Sequence, residues 1–444
     1  MKRVVEVLDG VGGLLSPYGL APAAVGLKYL AGEPDVPAFG VSGGQVLGLL
    51  EEDPLAGRAP NSAKHFAAAG TAQAPGRARL LALAELLERY SAAMAQDSGA
   101  VVRASAEELG DEAIDLMSFP RLSAEEYASP GQRLAPPDPS APIRWVRGWS
   151  LTRRRQVYVP AVVAWMGCVP QRPAERIWHP VSTGYAVHGD LRSAVMQALC
   201  ECVERDMVSS VWLRKLPLPR LEVGDDADLG EEAQAMLTRF RRSVLDVPHL
   251  FDATSDLGVP TIYLVGVAPD SSRVATMVAC AAGADPQQVL AKVLREAVGY
   301  RVALHSGHAA TGKVEDFEEV MDGAVFMARP EQSEAFDFLL SSRRSRHLSD
   351  LPTLACGDTD TQLDVLVERL REGGMEAVAV EVTTDEARDV GLSAVRVFVP
   401  QLVPLSFRHD ARYLGHPRLQ DAPERLGYPE CVAEEINPLP QPFG

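Results

Sequence analysis

The sequence predicts a mixed α+β protein, on three observations. Three long stretches carry apolar side chains at helical spacing. Between them lie pairs of short alternating or continuously apolar runs that read as strands. The strand pairs are repeatedly followed by a helix, which points to sheets with helices packed on them. With 444 residues, of which 46% are hydrophobic and 23% charged, the chain has the composition of a soluble globular protein with at least one large core.

In chain order, residues 1–60 read as short strands and loops rich in Gly and Pro. A first helix is expected from Arg77 to about Asp97, where Leu80, Leu83, Leu87 and Tyr90 share one side. Residues 119–143 hold many Pro and Ser residues and read as an irregular connection. RWVRGWSLTRRRQVYVPAVVAW alternates as two strands around a turn, with Arg153 to Arg155 as a solvated turn. A second helix is expected from Leu191 to Leu213, N-capped by Asp190. TIYLVGVAP and RVATMVACAAGAD read as a strand pair, and a third helix follows from Pro286 to Ser306. Then come a mostly helical acidic stretch (314–345), a helix near 360–373, and strands MEAVAVEVT and AVRVFVP. The tail, 408–444, is Pro-rich and read as irregular; Arg408, Arg412 and Arg418 in it read as solvated loop arginines. The division expected is an N-terminal segment, 1–64, and one domain, 65–444.

A net charge of −17 argues against a broad nucleic-acid footprint, which needs a basic surface. The cysteines, Cys168, Cys200, Cys202, Cys280, Cys356 and Cys431, form no CxxC pair and read as reduced thiols of the cytosol. The opening MKRVVEVLDG is broken by Glu6 and Asp9, so it is no secretory signal, and no apolar run is long enough to span a membrane. A cytoplasmic protein is expected. His188, His308 and His347 read as structural or surface histidines.

Two helices carry acidic residues in an unusual pattern. On the second, Gln197, Glu201, Glu204 and Arg205 fall on one face, and Val195, Leu199, Cys202, Val203 and Met207 on the other. On the first, Glu85, Glu88 and Arg89 share a face opposite Leu83, Leu87 and Tyr90. Either Glu-x-x-Glu-Arg alone reads as ion-paired surface scaffolding. Ala198, Val208 and the run SSVW suit a fully wet face poorly, which points to an enclosed polar face on the second helix as well. Together, four carboxylates from two helices could hold hard cations such as Mg²⁺, and two arginines could hold phosphate oxygens. No GxxxxGK[ST] or GxGxxG occurs, so this would be a nucleotide site without a Walker loop.

ALAELLERYS (82–91), VSTGYAVHGDLRSAVMQALCECVERDM (181–207), VLREAVGYR (293–301), the lead-in GWSLTRRRQVYVPA and the final NPLPQPFG together resemble the YcaO family over roughly residues 65–444. The resemblance implies the fold of that family, with ATP and Mg²⁺ bound through glutamate-rich helices. It implies Glu85, Glu88, Glu201 and Glu204 near the metal ions, and Arg89 and Arg205 near the nucleotide. Ser182, Gln197, Asp206, Glu296 and Arg301 would line or brace the same site. Leu81 stands where a serine is common, and Gly299 where a glutamine is common.

The PxPxP of Pro438, Pro440 and Pro442, followed by Phe443 and Gly444, resembles the tail of azoline-forming cyclodehydratases, which enters the active site. The reaction so implied is attack of a Cys, Ser or Thr side chain on the preceding backbone carbonyl. ATP then phosphorylates the resulting oxygen, and loss of phosphate leaves a thiazoline or oxazoline in a ribosomally made precursor peptide. The base is not assigned; Glu434 and Glu435 are nearby. A separate leader-peptide-binding protein and a homodimer are the partners implied, with no nucleic acid and no membrane. The alternatives are thioamide or amidine formation, or a non-catalytic substrate-presenting partner.

Overall fold

The computed structural model describes residues 10–44, 66–94, 101–224, 229–243, 247–271, 273–306, 313–431 and 435–444. In chain order its strands are β1 (Ala24–Gly26), β2 (Ala38–Gly44), β3 (Phe66–Thr71), β4 (Val102–Ala104), β5 (Ile143–Ser150), β6 (Arg155–Pro160), β7 (Tyr185–His188), β8 (Arg220–Glu222), β9 (Val247–Asp252), β10 (Thr261–Val267), β11 (Thr276–Ala282), β12 (Ser345–His347), β13 (Val378–Glu381) and β14 (Ser393–Phe398). The longer helices are α1 (Pro75–Ala93), α2 (Leu191–Arg214), α3 (Glu231–Arg241), α4 (Pro286–Ser306), α5 (Thr359–Glu372) and α6 (Pro417–Arg425).

The strands form three sheets. One has the order β1-β2-β3, one β11-β10-β9-β8-β12, and one β4-β5-β13-β14-β7 with β6 also on β5. Pairing is antiparallel except between β12 and β8. β1 and β2, from the segment before residue 65, thus share a sheet with β3. The small side chains of β3 let α1 lie close on this sheet. A Cβ on Gly70 would collide with the Ala78 carbonyl and the Ala82 nitrogen. β10 and β11 are buried along nearly their whole length, as continuous apolar runs require. α3 and α4 cover them through Met236, Leu290 and Leu294 against Ile262 and Leu264.

Helix α2 runs through the centre of the molecule. It starts where the Asp190 carboxylate accepts from the Arg192 and Ser193 nitrogens, at 3.1 and 3.2 Å, and it stops at Lys215, which is left-handed. It packs on β7, β11, β14, α5 and α6. Its apolar side, Leu199 and Val203, meets Leu366, Leu370, Val395 and Val397. Its polar side is also enclosed, with Glu204 and Asp206 buried.

Two expectations are corrected, and a third holds in broken form. The stretch 314–345 is mostly helical, in short pieces that include Asp322–Met327, Pro330–Phe336 and Asp337–Leu340. Pro330 disfavours helical backbone at Arg329 and ends the first piece. The tail is not irregular throughout, because Pro417 at the first turn starts α6 with the His416 side chain as cap. Arg408 and Arg418 are not solvated. Arg408 pairs with Glu318 and Asp410, and Arg418 with Asp206 and Asp256. His308, Glu434 and residues 95–97 lie outside the described residues. Among the described residues no helix is long and apolar enough to cross a membrane.

Candidate active site

On α1, Glu85 and Arg89 form an ion pair at 2.6 Å and engage the edge of β3. Glu85 accepts from the Ala69 nitrogen at 3.3 Å, and Arg89 donates to the Ala67 carbonyl. Glu88 instead faces α2. Burial first, then the charges of Glu201 and Glu85, hold its carboxyl well above the usual carboxylate range.

Glu201 on α2 accepts from the Gly184 nitrogen at 2.8 Å. Gly184 has φ +80°, and a side chain there would strike the Val397 carbonyl, so Ser-x-Gly needs its glycine to aim this N–H. Burial raises the Glu201 pKa, against the pull of Arg205. Arg205 lies 3.4 Å from Glu201 and 3.6 Å from Glu204. Glu204, 1% exposed, accepts from the Ala282 nitrogen at 3.1 Å and from Lys292 Nζ at 3.2 Å.

Helix α4 supplies Lys292 and Glu296, 3.8 Å apart. Burial pushes the Glu296 carboxyl up to about 7, with Lys292 opposing and Glu204 reinforcing the shift. Burial works against the Lys292 charge, but Glu204, Glu296 and Glu201 outweigh it and raise its pKa. Three helices therefore converge on one crowded set of carboxylates around an ammonium and a guanidinium.

The tail closes over this set. Asn437, fully buried, donates from Nδ2 to the Trp212 carbonyl at 3.1 Å and from its backbone to the Leu213 carbonyl at 2.9 Å. Its Oδ1 accepts from the Leu439 nitrogen at 3.1 Å, and Trp212 Nε1 donates to the Leu439 carbonyl at 3.3 Å. Gly323 is bare where the Gln441 carbonyl passes it. The Tyr300 hydroxyl on α4 donates to the Pro442 carbonyl at 3.1 Å. Phe443 stacks on Tyr300 with ring centres 6.2 Å apart, and Arg205 sits 4.4 Å from the Phe443 ring centre. Gly444 lies against Tyr300 and Met321. Pro440 and Pro442 are buried, whereas Pro438 is exposed.

Other candidates lie apart. Ser182 and Gln197 are exposed. Asp206 turns away from the carboxylates, pairing with Arg418 at 2.9 Å and accepting from the Val403 nitrogen at 2.9 Å. Arg301, 2% exposed, is held by Glu33 at 2.6 Å, and His305 lies 2.9 Å from the same carboxylate. Gly299 sits against Thr71; a Cβ there would stand 2.8 Å from the hydroxyl oxygen, so a larger side chain would require Thr71 to shift. His188 is exposed and accepts from the Asp190 nitrogen at 3.3 Å.

Sequence reasoning missed Lys292, Tyr300 and Asn437. Lys292 stands four residues before Glu296 on one helix face, a spacing that could have flagged it. For Asn437 the signal was only its place before the first proline.

Among the described residues, no three His, Cys, Asp or Glu side chains stand close enough to enclose a metal by themselves. Mg²⁺ does not require that, since it keeps waters and uses one or two carboxylates beside substrate phosphates. The raised pKa values of Glu88, Glu201 and Glu296 are those of crowded, partly buried carboxylates short of positive charge. The donor set fits a hard divalent cation.

Similar solved structures define the class as a heterocyclase-type fold. A heterocyclase in complex with substrate and cofactor has a TM-score of 0.79 and 24% identity, over 99% of this chain and 57% of its own. The heterocyclase TruD gives 0.64 and 25%, over 83% of this chain and 51% of its own. YcaO from Methanopyrus kandleri, bound with AMPPCP and Mg²⁺, gives 0.62 and 19%, over 90% of each chain. The chain thus spans little more than half the length of these two heterocyclases. The family model described as YcaO cyclodehydratase, ATP- and Mg²⁺-binding, matches residues 69–403, and the chain belongs to the YcaO family. That match contains every glutamate of the cluster but not the tail. No curated protein matched the sequence.

Proposed function

We propose that this chain uses ATP to phosphorylate a peptide backbone amide oxygen, cyclodehydrating Cys, Ser or Thr of a ribosomally made precursor peptide to azolines. The observation that carries the reading is the meeting of Phe443 from the tail with Arg205, which itself pairs with two glutamates of the cluster. In the reaction, the side-chain heteroatom loses its proton and bonds to the preceding carbonyl carbon, the carbonyl oxygen takes the γ-phosphoryl group as ADP leaves, and that oxygen then departs as phosphate while a proton leaves the amide nitrogen. Water is a poor leaving group from that carbon and phosphate a good one. Bound Mg²⁺ would offset the charge of the triphosphate beside the developing oxyanion.

The residues of the chain have separable tasks. Glu88, Glu201 and Glu204 present anionic oxygens toward the site, with Glu85 and Arg89 fixing the α1 edge against β3. Arg205 offers a guanidinium already desolvated by burial, and Lys292 offsets the carboxylates. Pro440, Pro442 and Gly444 would border the peptide at the reacting amide, with the exposed Pro438 further out. Ser182 and Gln197 would meet the nucleotide only from the exposed side, Glu296 would join the carboxylate set through Lys292, and Asp206 and Arg301 would brace the helices.

A separate leader-binding protein is part of the proposal. The McbBCD synthetase, similar in fold, is itself a complex of several proteins, solved with pro-MccB17 bound. Action in the cytoplasm is supported by the lack of any disulfide among the described cysteines.

The test is mass spectrometry of a candidate precursor incubated with the full chain, ATP, Mg²⁺ and the leader-binding partner. Loss of one water per modified Cys, Ser or Thr is the expected result. Sulfur replacing oxygen would point to a thioamide instead. An absence of ATP turnover with substrate and partner present would leave only a substrate-presenting role.

A further inference from the structure

Arg396 is a buried cation that the glutamate cluster does not explain. It lies on β14, is 2% exposed, and no carboxylate is paired with it among the described residues. Its Nε donates to the Val163 carbonyl at 3.1 Å. Its guanidinium carbon lies 4.7 Å from the Tyr185 ring centre, 5.7 Å from that of Phe398 and 5.9 Å from that of Trp178. Ring faces offset part of the cost of burying the charge, but they do not accept its edge N–H groups. Nη1 is buried with no hydrogen-bond partner. A buried donor left in this state is costly and calls for an acceptor.

The location supplies a direction. A Cβ on Gly184 would stand 2.8 Å from Arg396 Nη1, so this atom lies directly under the turn that holds Glu201. Arg205 presents a second buried, unpartnered donor, its Nε, while its other end pairs with Glu201 and Glu204. Arg205, Arg396, Thr183 and Cys202 line one narrow pocket, and none of the residues lining it is acidic. The gap admits a single oxygen, not a whole nucleotide. Two guanidiniums lining one oxygen-sized gap, each with a buried N–H that has no acceptor, suit a phosphoryl oxygen.

We infer that Arg396 and Arg205 form a two-guanidinium subsite for one phosphoryl oxygen, an inference that rests on the ATP-dependent reading above. The oxygen belongs either to the bound nucleotide or to the inorganic phosphate released from it.

The test is calorimetric titration of the full chain with AMPPCP in Mg²⁺ and, separately, with inorganic phosphate, for wild type, R396M and R396K. Melting temperatures establish that each variant is folded; if R396M is not, R396K, which keeps the charge and loses the fork, decides. Weakening of both ligands by about tenfold, the cost of one lost hydrogen bond to a charged group, places a nucleotide oxygen in the subsite. Weakening of phosphate alone assigns it to the released anion. Unchanged affinities in folded variants overturn the inference and leave the gap to water. Wild type that binds phosphate but not AMPPCP would sink the ATP-dependent reading while the subsite stands; binding of neither sinks both.

Discussion

Replacing Glu296 by Gln should flatten the dependence of stability on pH. In the folded chain this carboxyl titrates at about 7, against 4.5 in an ordinary setting, because burial disfavours its charge. Lys292, 3.8 Å away, offsets part of this and Glu204 adds repulsion. Between those two values the folded chain holds more protons than the unfolded one. The contribution is therefore intact below 4.5 and is lost as pH rises towards 7. At full burial such a rise would correspond to about 3 kcal/mol. The Glu296 side chain is 41% exposed, and solvent screening reduces the expected loss to about 1 kcal/mol. The assay is denaturation of the full chain in EDTA across this interval, for wild type and E296Q. Glu88 and Glu201 are shifted in the same direction, so the variant should keep part of the slope. Mg²⁺ with AMPPCP should flatten the wild-type profile as well, since a bound cation favours ionised carboxylates. Equal slopes for wild type and E296Q in EDTA would refute the reasoning.

Three further outcomes are expected. Lys292→Met leaves Glu204, 1% exposed, without its ammonium, so the metal-free protein should lose about 3 kcal/mol at high pH, partly recovered by Mg²⁺ in thermal unfolding. Asn437→Ala removes the side-chain bonds to Trp212 and Leu439, worth about 2 kcal/mol locally, and should show as faster hydrogen exchange over the tail and reduced product formation with AMPPCP binding retained. Arg418→Met strands the fully buried Asp206 and should cost about 3–5 kcal/mol in denaturation whether or not nucleotide is present.

What the sequence makes legible here is local. Helix α2 is readable at both ends because Asp190 caps it and the apolar period holds to Leu213; α4 is readable because Pro286 opens it. The β10–β11 pair is readable from two apolar runs around a short turn. The errors come from partners far away in the chain. Arg418 looks like a solvated loop arginine until Asp206, 212 residues before it, is seen to neutralise it. Likewise nothing local shows that Arg301 is held by Glu33, 268 residues before it. The acidic stretch 314–345 is readable as mostly helical, but Pro330 divides it into short pieces, which composition alone does not weigh. Within the site, the Glu-x-x-Glu-Arg pattern marks the right face of each helix. It does not reveal that Glu85 and Arg89 are drawn to β3 while Glu88 is left facing α2.

Helix α2 ties the separate parts into one device, and the tail prolines make physical sense in that light. The tail is pinned at Asn437 to the carbonyls of Trp212 and Leu213 and arrives again at Arg205 through Phe443. Leu213 and Arg205 are about two helical turns apart, roughly 12 Å along the axis. The tail residues between Asn437 and Phe443 can reach about 19 Å in a polyproline-like conformation. That suffices to run back along α2 and also cross to Tyr300 on α4, but leaves little slack. A flexible segment of this length would sample many positions and lose entropy on settling. Prolines at 438, 440 and 442 fix φ at alternate positions, so much of that entropy is already absent from the unfolded chain. The PxPxP therefore works as a strut of set length, and the helix that carries Glu201 and Glu204 also fixes the point from which that strut is measured.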